Sequence, residues 1–544
     1  MANVTPAAAS VDEVTAARIT EPNDWLRLVV LVLIAVAVHT WLFFHTYTTA
    51  RDSIGFAQLA LQYESPLDAK TEYPCKTPLD VLKHGLPPHP PGYPLAVLAT
   101  SKVVREVYDG QLCDQMLYST QIASIIAAVL LVFPSYAIGR MLFSRFSGFA
   151  AALLFQVLPV SARTTSDGLT EAWYLFFVAT ALAFGIRAVR ASKVNGFCWC
   201  GMASGAAYLV RPEGLLVALS MSAVIVLLVL RKHWSLGGGL SRLVALGFGT
   251  MLLALPYMVA IGGVTLKPSL RMASEAQSFA HVTHNPTGFP GAALFAMNFD
   301  PSLNMSRELW VPIAIFKEAS KAFHYGSMAF ALIGVGFALR RVRTDPAILV
   351  TLVMGTLNLA VLALLAWKAG YLSERHTLPI VFLGCFFAAY ACERLPGFIA
   401  RIPWIGRGVW YPVMLMWMLY GAIILSCLPA TIRPLHENRN GHKAIGEFLK
   451  ENAHDDDVII DPYNWAQYYS GRSLRGVPPD PSPARYRWAV LEEGEEPHST
   501  LTRLKAAVDV KNDLNNKPEI MLRVEDTSDK RGSRAIVLYR QLAK

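Results

Sequence analysis

Ionisable side chains stand at the ends of apolar runs in this sequence, where hydrocarbon tolerates them only if they are paired or line a wet cavity. Arg51-Asp52 follows the first such run, within Thr49-Ala-Arg-Asp-Ser-Ile-Gly-Phe56. His89 lies in Pro87-Pro88-His89-Pro90-Pro91-Gly92-Tyr93-Pro94, which opens an apolar stretch too short and too Pro-bounded to span, expected at the interface. The pattern recurs in Arg163-Thr-Thr-Ser-Asp167-Gly-Leu-Thr-Glu171, in Tyr208-Leu-Val-Arg211-Pro-Glu213-Gly214 and in Tyr371-Leu-Ser-Glu374-Arg375-His376. An Asp beside a wet membrane surface can act as general base toward a hydroxyl or amine. Arg and His can hold a phosphate, Arg by paired hydrogen bonds. Transfer of a sugar from a lipid phosphate needs that combination, and it needs neither a nucleotide nor a Gly-rich phosphate loop, of which no convincing example occurs. Local pairing, such as Arg51 with Asp52 or Arg211 with Glu213, is the competing reading for any one residue. It explains the set less well, because acids and bases recur at five separate connections.

The elements that must position these groups are apolar helices. Of 544 residues 53% are hydrophobic and 16% charged, against about 25% charged in an ordinary soluble domain. Residues 431–544 carry 18 Lys/Arg and 18 Asp/Glu, so the whole excess of +9 belongs to the part before them. Basic residues between apolar runs speak for a bilayer as partner and against nucleic acid. Eleven runs are long enough to cross about 30 Å of hydrocarbon, near 26–47, 116–139, 147–164, 169–187, 196–211, 213–230, 243–262, 325–340, 346–367, 376–393 and 408–430. Alternate short loops hold Arg140 and Arg145; Arg187, Arg190 and Lys193; Arg231, Lys232 and Arg242; Arg340, Arg341 and Arg343; and Arg394, Arg401 and Arg407. The opposite short loops hold little beyond Arg163, Arg211, Lys368 and Arg375. The basic set is expected in the cytoplasm, with residues 1–25 inside as an uncleaved N-terminal segment and the tail outside. The candidate site residues then all reach the outer face. The expected organisation is a mainly α, polytopic helical domain over 26–430, with long outer loops at 48–114 and 263–322, and a small extracytoplasmic α/β domain over 431–544.

Within the tail, 441–450 has helical spacing, while 458–460, 488–491, 520–524 and 535–539 read as strands, the last two as a hairpin. Asp455-Asp456-Asp457 reads as a solvated turn, and Trp465, Tyr468 and Tyr469 as core or packing aromatics. Seven cysteines occur; Cys198, Cys200, Cys385, Cys392 and Cys427 fall in or beside apolar runs, where Cys behaves as a small hydrophobe. Cys75 and Cys113 share the first outer loop and are candidates for a disulfide, the alternative being two separate thiols. His281, His284 and His324 have no spacing that suits a metal, and no metal or other cofactor is expected. Asn304-Met-Ser306 matches a glycosylation acceptor pattern that arises readily by chance, and the Asn285-Pro286-Thr287-Gly288 segment is a candidate gate for the cavity.

Taken in order, Arg51-Asp52, His89-Pro-Pro-Gly-Tyr-Pro94, Ser166-Asp-Gly-Leu-Thr-Glu171, Leu209-Val-Arg-Pro-Glu-Gly214 and Arg375-His-Thr-Leu-Pro379 resemble the motifs of the glycosyltransferase-C superfamily. They look closest to the bacterial relatives of protein O-mannosyltransferases and lipid A aminoarabinose transferases, often described as dolichyl-phosphate-mannose mannosyltransferase-like. The resemblance covers about residues 25–430. It implies a first outer loop with juxtamembrane helices, a polyprenyl-phosphate sugar donor, an inverting and usually metal-independent transfer to a glycan, lipid or protein acceptor, and a bacterial-type cytoplasmic membrane. By it Asp52 stands at the catalytic acidic position and Asp167 at the second acidic position. His89, Arg211 and Arg375 match basic positions near the donor phosphate, and Arg51, Tyr93, Glu171, Glu213 and Tyr371 are carried along as substrate contacts. The sequence departs from many relatives in having Ser53 where a second carboxylate follows and Phe56 where a Tyr stands.

The competing class is a transporter or flippase for a lipid-linked or anionic solute, with the same charges forming a vestibule. Against it, few ionisable residues sit at mid-span, where alternating-access sites lie. A catalytically inactive relative whose tail binds a partner is the third reading.

Overall fold

The structure, a computed structural model, describes residues 22–66, 75–85, 89–265, 307–369, 372–400, 411–474, 485–494, 514, 518–525 and 534–542. The first outer connection holds α2 (Arg51–Glu64), α3 (Pro78–His84) and α4 (Gly92–Val107), after the first long helix α1 (Pro22–Phe44). Then follow α5 (Leu112–Leu130) and α6 (Val132–Leu142), α7 (Arg145–Val157) and α8 (Pro159–Ser166), α9 (Glu171–Ala191), α10 (Val194–Val210), α11 (Leu215–Leu230) and α12 (Leu236–Ile261). After residue 306 come α13 (Arg307–Ala322), α14 (Gly326–Leu339), α15 (Pro346–Ala369), α16 (Leu378–Ile399) and α17 (Tyr411–Thr431). Among the described residues eight helices are long and apolar enough to cross a membrane, or ten if each of two bent pairs is one span. The chain is a multi-pass membrane protein of mainly helical fold.

Eleven spans were expected, and the excess has a physical reason. Helix α10 has 17 residues, about 25 Å at 1.5 Å per residue, at the lower end of the range for a membrane-crossing helix, and is not among the eight. The runs at 147–164 and 325–340 belong to the bent pairs, α7 with α8 at 67° and α13 with α14 at 110°. The first bend falls where Pro159 takes the first position of α8. Proline lacks the N–H that would continue α7, and its ring opposes a straight passage. The bend delivers Asp167, just past the end of α8, to the rim of the bundle.

The C-terminal unit comprises α18 (Asn440–Asn452), β1 (Val458–Ile460), α19 (Trp465–Tyr469), β2 (Tyr486–Glu493), β3 (Glu519–Glu525) and β4 (Ala535–Leu542). Its four-stranded sheet has the order β1-β2-β4-β3, with β1 parallel to β2 and the other pairs antiparallel. Helix α18 places Ile445 and Leu449 against Trp488, Val490, Ile536 and Leu538, which form the core of the unit. Asp457 is not a solvated turn residue: it is 5% exposed and accepts from Tyr486 N at 3.0 Å and Trp488 Nε1 at 2.9 Å.

Cys75 and Cys113 are not joined. Cys75 packs with Leu59, Tyr63 and Val81, while Cys113, in a different cluster, points its thiol at Gln111 Oε1, 3.6 Å away. Both are buried free thiols in this structure.

Candidate active site

Two close approaches bring the motifs together. The N-terminal turn of α4 lies on the end of α10, and a Cβ on Gly92 would come within 2.7 Å of the Leu209 carbonyl oxygen. His89 and Arg211 thereby face one space. Likewise a Cβ on Gly168 would collide with Thr120 and Ser53, and the Ser53 hydroxyl donates to the Gly168 carbonyl at 2.6 Å. The residue that departs from the expected carboxylate therefore ties the turn after Asp167 to the helix that carries Asp52.

Asp52 and Arg375 meet over 323 residues of sequence, Arg375 Nη2 donating to Asp52 Oδ2 at 2.7 Å. Their side chains remain 45% and 39% exposed because they face a cavity of about 120 Å³ lined also by Phe56, His89, Glu171, Arg211, Glu213 and His376. Burial in the protein mass pushes the Asp52 carboxyl up. The Arg375 guanidinium, by charge and by hydrogen bond, outweighs this with help from His89 and Arg51 and holds it below the ordinary carboxylate value. His89 packs on Phe56 at 4.9 Å between ring centres. Burial lowers its pKa, Asp52 opposes and Arg211 adds to the lowering, a balance that favours the neutral imidazole.

Arg211 is the second fixed cation. Its Nη1 lies 2.8 Å from Glu171 Oε1 and its Nη2 3.5 Å from Glu213 Oε1. A second pocket, of about 40 Å³, shares Glu171, Arg211, Glu213, Arg375 and His376 with this cavity and is lined otherwise mainly by Leu175, Leu216, Val361, Leu362 and Leu365, with Tyr174 and Asn358. Two guanidinium groups thus stand where a polar chamber and a smaller, mainly apolar pocket share a wall.

The remaining sequence candidates fall elsewhere. Asp167 does not line the cavity: it is 4% exposed, accepts from Gly168 N–H at 2.9 Å through Oδ1 and from His436 Nε2 at 2.7 Å through Oδ2. Arg439 Nη1 meets His436 Nδ1 at 3.1 Å. Because Arg has only donors, it makes Nδ1 the acceptor and leaves the Nε2–H for Asp167. Tyr93 is fully buried, donating to the Thr120 carbonyl at 2.9 Å, and so supports the site from behind. Arg51 is half-buried and lies in the field of Asp52 and Asp461. Tyr371, His281, His284, the 285–288 segment and Asn304 lie outside the described residues. His324 bonds the Ser426 carbonyl at 3.0 Å. Among the described residues no group of three or more His, Cys, Asp or Glu is placed to hold a metal. His376 lines both cavities and was passed over in sequence, although it adjoins Arg375. His436 and Arg439 carried no sequence signal, since their partners lie far away in the chain.

Residues 111–258 match the family model for dolichyl-phosphate-mannose-protein mannosyltransferases, a segment containing Asp167, Glu171, Arg211 and Glu213. A search of curated proteins finds no match. Among solved structures the fold is shared with ArnT from Cupriavidus metallidurans bound to undecaprenyl phosphate, at 14% identity over 95% of this chain and 98% of that one, with a TM-score of 0.53. It is shared also with the apo oligosaccharyltransferase of Archaeoglobus fulgidus, at 14% identity over 89% of this chain and 63% of that one, TM-score 0.54. The archaeal oligosaccharyltransferase AglB from Archaeoglobus fulgidus, in complex with an inhibitory peptide and a dolichol-phosphate, gives a TM-score of 0.52 at 14% identity over 85% of this chain. This chain spans 60% of its length there. The fold is therefore of the glycosyltransferase-C type, and the family match bears out the resemblance read from the motifs.

Proposed function

We propose that this chain, a membrane glycosyltransferase of the lipid-phosphate-sugar class by its family segment and fold, transfers a sugar from a polyprenyl monophosphate with Asp52 as general base. The observation that carries this reading is the Asp52–Arg375 pair, open to the cavity that Arg211 and His89 share. In the transfer the acceptor O–H or N–H gives its proton to Asp52. The acceptor atom bonds to the anomeric carbon from the face opposite the phosphate, and the carbon–oxygen bond to phosphate breaks with its electron pair on the phosphate oxygen. Arg375 and Arg211 stabilise the charge that develops there. The same guanidinium serves base and phosphate. A donor phosphate that draws Arg375 toward itself releases Asp52, whose basicity rises as the acceptor's site is completed. The basic residues of the alternate loops support a place for this chemistry on the outer face of the membrane. The acceptor, whether glycan, lipid or protein, enters from the water side.

The test is release of free polyprenyl phosphate from a panel of polyprenyl-phosphate sugars by purified protein in liposomes, with membrane extract as acceptor. Release by wild type from at least one donor is expected. Absence of release with every donor, from protein shown to be folded, defeats the reading in favour of a transporter or an inactive relative.

A further inference from the structure

The segment that joins α1 to the helix carrying Asp52 is gripped by the C-terminal unit. Leu435 N–H donates to the His45 carbonyl at 2.8 Å, and Tyr47 N–H donates to the Leu435 carbonyl at 3.1 Å. Two residues further on, both backbone groups of Thr49 are taken. Its N–H donates to the Tyr469 hydroxyl at 3.0 Å, across 420 residues, and its carbonyl accepts from Trp465 Nε1 at 2.9 Å, across 416. Thr49, Trp465 and Tyr469 are each 1% exposed, so water cannot substitute for either bond. Ala50, which precedes α2, supplies no side-chain cap. The entry of α2 is therefore set by the two rings and not by its own sequence.

The rings are held ready. Asp461 accepts from the backbone N–H groups of Tyr463, Ala466 and Gln467 at 2.9, 2.8 and 3.2 Å, fixing the turn in which Asn464 takes a positive φ of 67°. Gln467 Nε2 ties that turn to the Ile459 carbonyl of β1 at 2.6 Å. On the far side of Asp52, Gln58 Nε2 donates to the Ser473 carbonyl at 3.1 Å, so the unit touches the α2 segment both before and after the proposed base. By contrast the neighbouring Tyr468 hydroxyl donates to the Cys113 carbonyl at 2.6 Å, docking the unit on α5.

We propose that the C-terminal unit is a positioning part of the active site: Tyr469 and Trp465, by holding the two backbone groups of Thr49, set Asp52 in register with Arg375 and the cavity. The proposal rests on the reading of Asp52 as base. Misplacing a reacting group by about 1 Å can cost about 10²-fold in rate, so removal of either clamp has a kinetic signature. Tyr469→Phe and Trp465→Phe in the full chain are expected to lower kcat by about 10- to 100-fold with donor KM nearly unchanged. The acid limb of the kcat/KM profile moves to higher pH, because in the free enzyme a carboxylate displaced from Arg375 loses the charge that holds its pKa down. Tyr468→Phe, which deletes a hydroxyl that also docks the unit, is expected to leave the limb in place. Polyprenyl-phosphate mannose is the first donor probe, followed by the panel member that wild type turns over. Amide exchange of a peptide covering residues 45–56 supplies a readout independent of activity, faster in Tyr469→Phe and unchanged in Tyr468→Phe. Equal effects of the two Tyr variants, with the acid limb and the exchange unmoved, would overturn the proposal and leave mere docking. If Trp465→Phe does not fold, Tyr469→Phe keeps the ring and removes one oxygen, and Gln58→Ala probes the second contact from α2. Full activity of Asp52→Asn, run alongside, would instead defeat the reading of the base and is thereby distinguished.

Discussion

Replacing Asp52 by Asn separates chemistry from folding because the pair it breaks is open to the cavity. With side chains 45% and 39% exposed, the Asp52–Arg375 pair resembles a solvated ion pair, for which about 0–1 kcal/mol of stability is the usual contribution. Asn keeps the shape and one acceptor oxygen. The loss of a positioned base is of another order, about 10²- to 10⁴-fold in rate, or roughly 3–5 kcal/mol of barrier at 1.36 kcal/mol per decade. Donor binding moves the other way. Arg375 no longer has a carboxylate to satisfy, so its hydrogen bond to phosphate forms without competition, and donor affinity stays equal or tightens. Three measurements on one variant follow: turnover by phosphate release, donor affinity by titration in liposomes, and thermal unfolding in detergent. Turnover down by at least about 10²-fold, with stability and donor affinity kept, is expected. Turnover within a few-fold of wild type, or a loss of donor binding that matches the loss of turnover, refutes the reasoning. The wild-type pH profile carries the same logic. Arg375 holds Asp52 low in the free enzyme, so kcat/KM stays high as pH falls until that lowered value is reached. Once the donor has drawn Arg375 away, the limb of kcat itself lies at higher pH.

Arg211→Gln leaves Glu171, 6% exposed, without its buried partner; a loss of about 3–5 kcal/mol in unfolding stability is expected along with weaker donor binding, and Arg211→Lys recovers part of both. His89 has a pKa lowered chiefly by burial, whereas a bound phosphate favours its charged form. Donor binding therefore takes up a proton and tightens as pH falls, until the lowered value of the free enzyme is reached, and in His89→Gln a plot of donor affinity against pH loses this component. Asp167→Asn disturbs a buried carboxylate held by Gly168 and His436, so stability is expected to fall by about 1.5–3 kcal/mol with donor KM unchanged. A large fall in kcat at full stability would place Asp167 in the chemistry instead.

Much of the site is legible in sequence because polar residues at the rim of apolar helices are conspicuous. Asp52, His89, Arg211 and Arg375 are visible in that way, and all four line one cavity. The sequence does not say which charges answer which. Arg51 adjoins Asp52, yet it is Arg375 that makes the 2.7 Å contact; Arg211 adjoins Glu213 closely in sequence, yet its shorter contact is to Glu171. Asp167 carries the same local signature as Asp52, but its carboxylate is taken by Gly168 N–H and His436.

By itself the amino-acid sequence determined the membrane-spanning character, through the length and apolarity of its runs, and the strand and helix pattern of the tail, through residue periodicity. Both are local properties that a window of a few turns contains. Which run is a short helix or half of a bent pair depends on proline placement and on the packing around it, and that only the assembled bundle decided. The tertiary structure alone also brought Trp465 and Tyr469 to Thr49 across more than 400 residues. Backbone hydrogen-bonding groups are the same at every position, so a chain records nothing of which side chain will satisfy them. At the entry to α2 that choice sets where the proposed base stands.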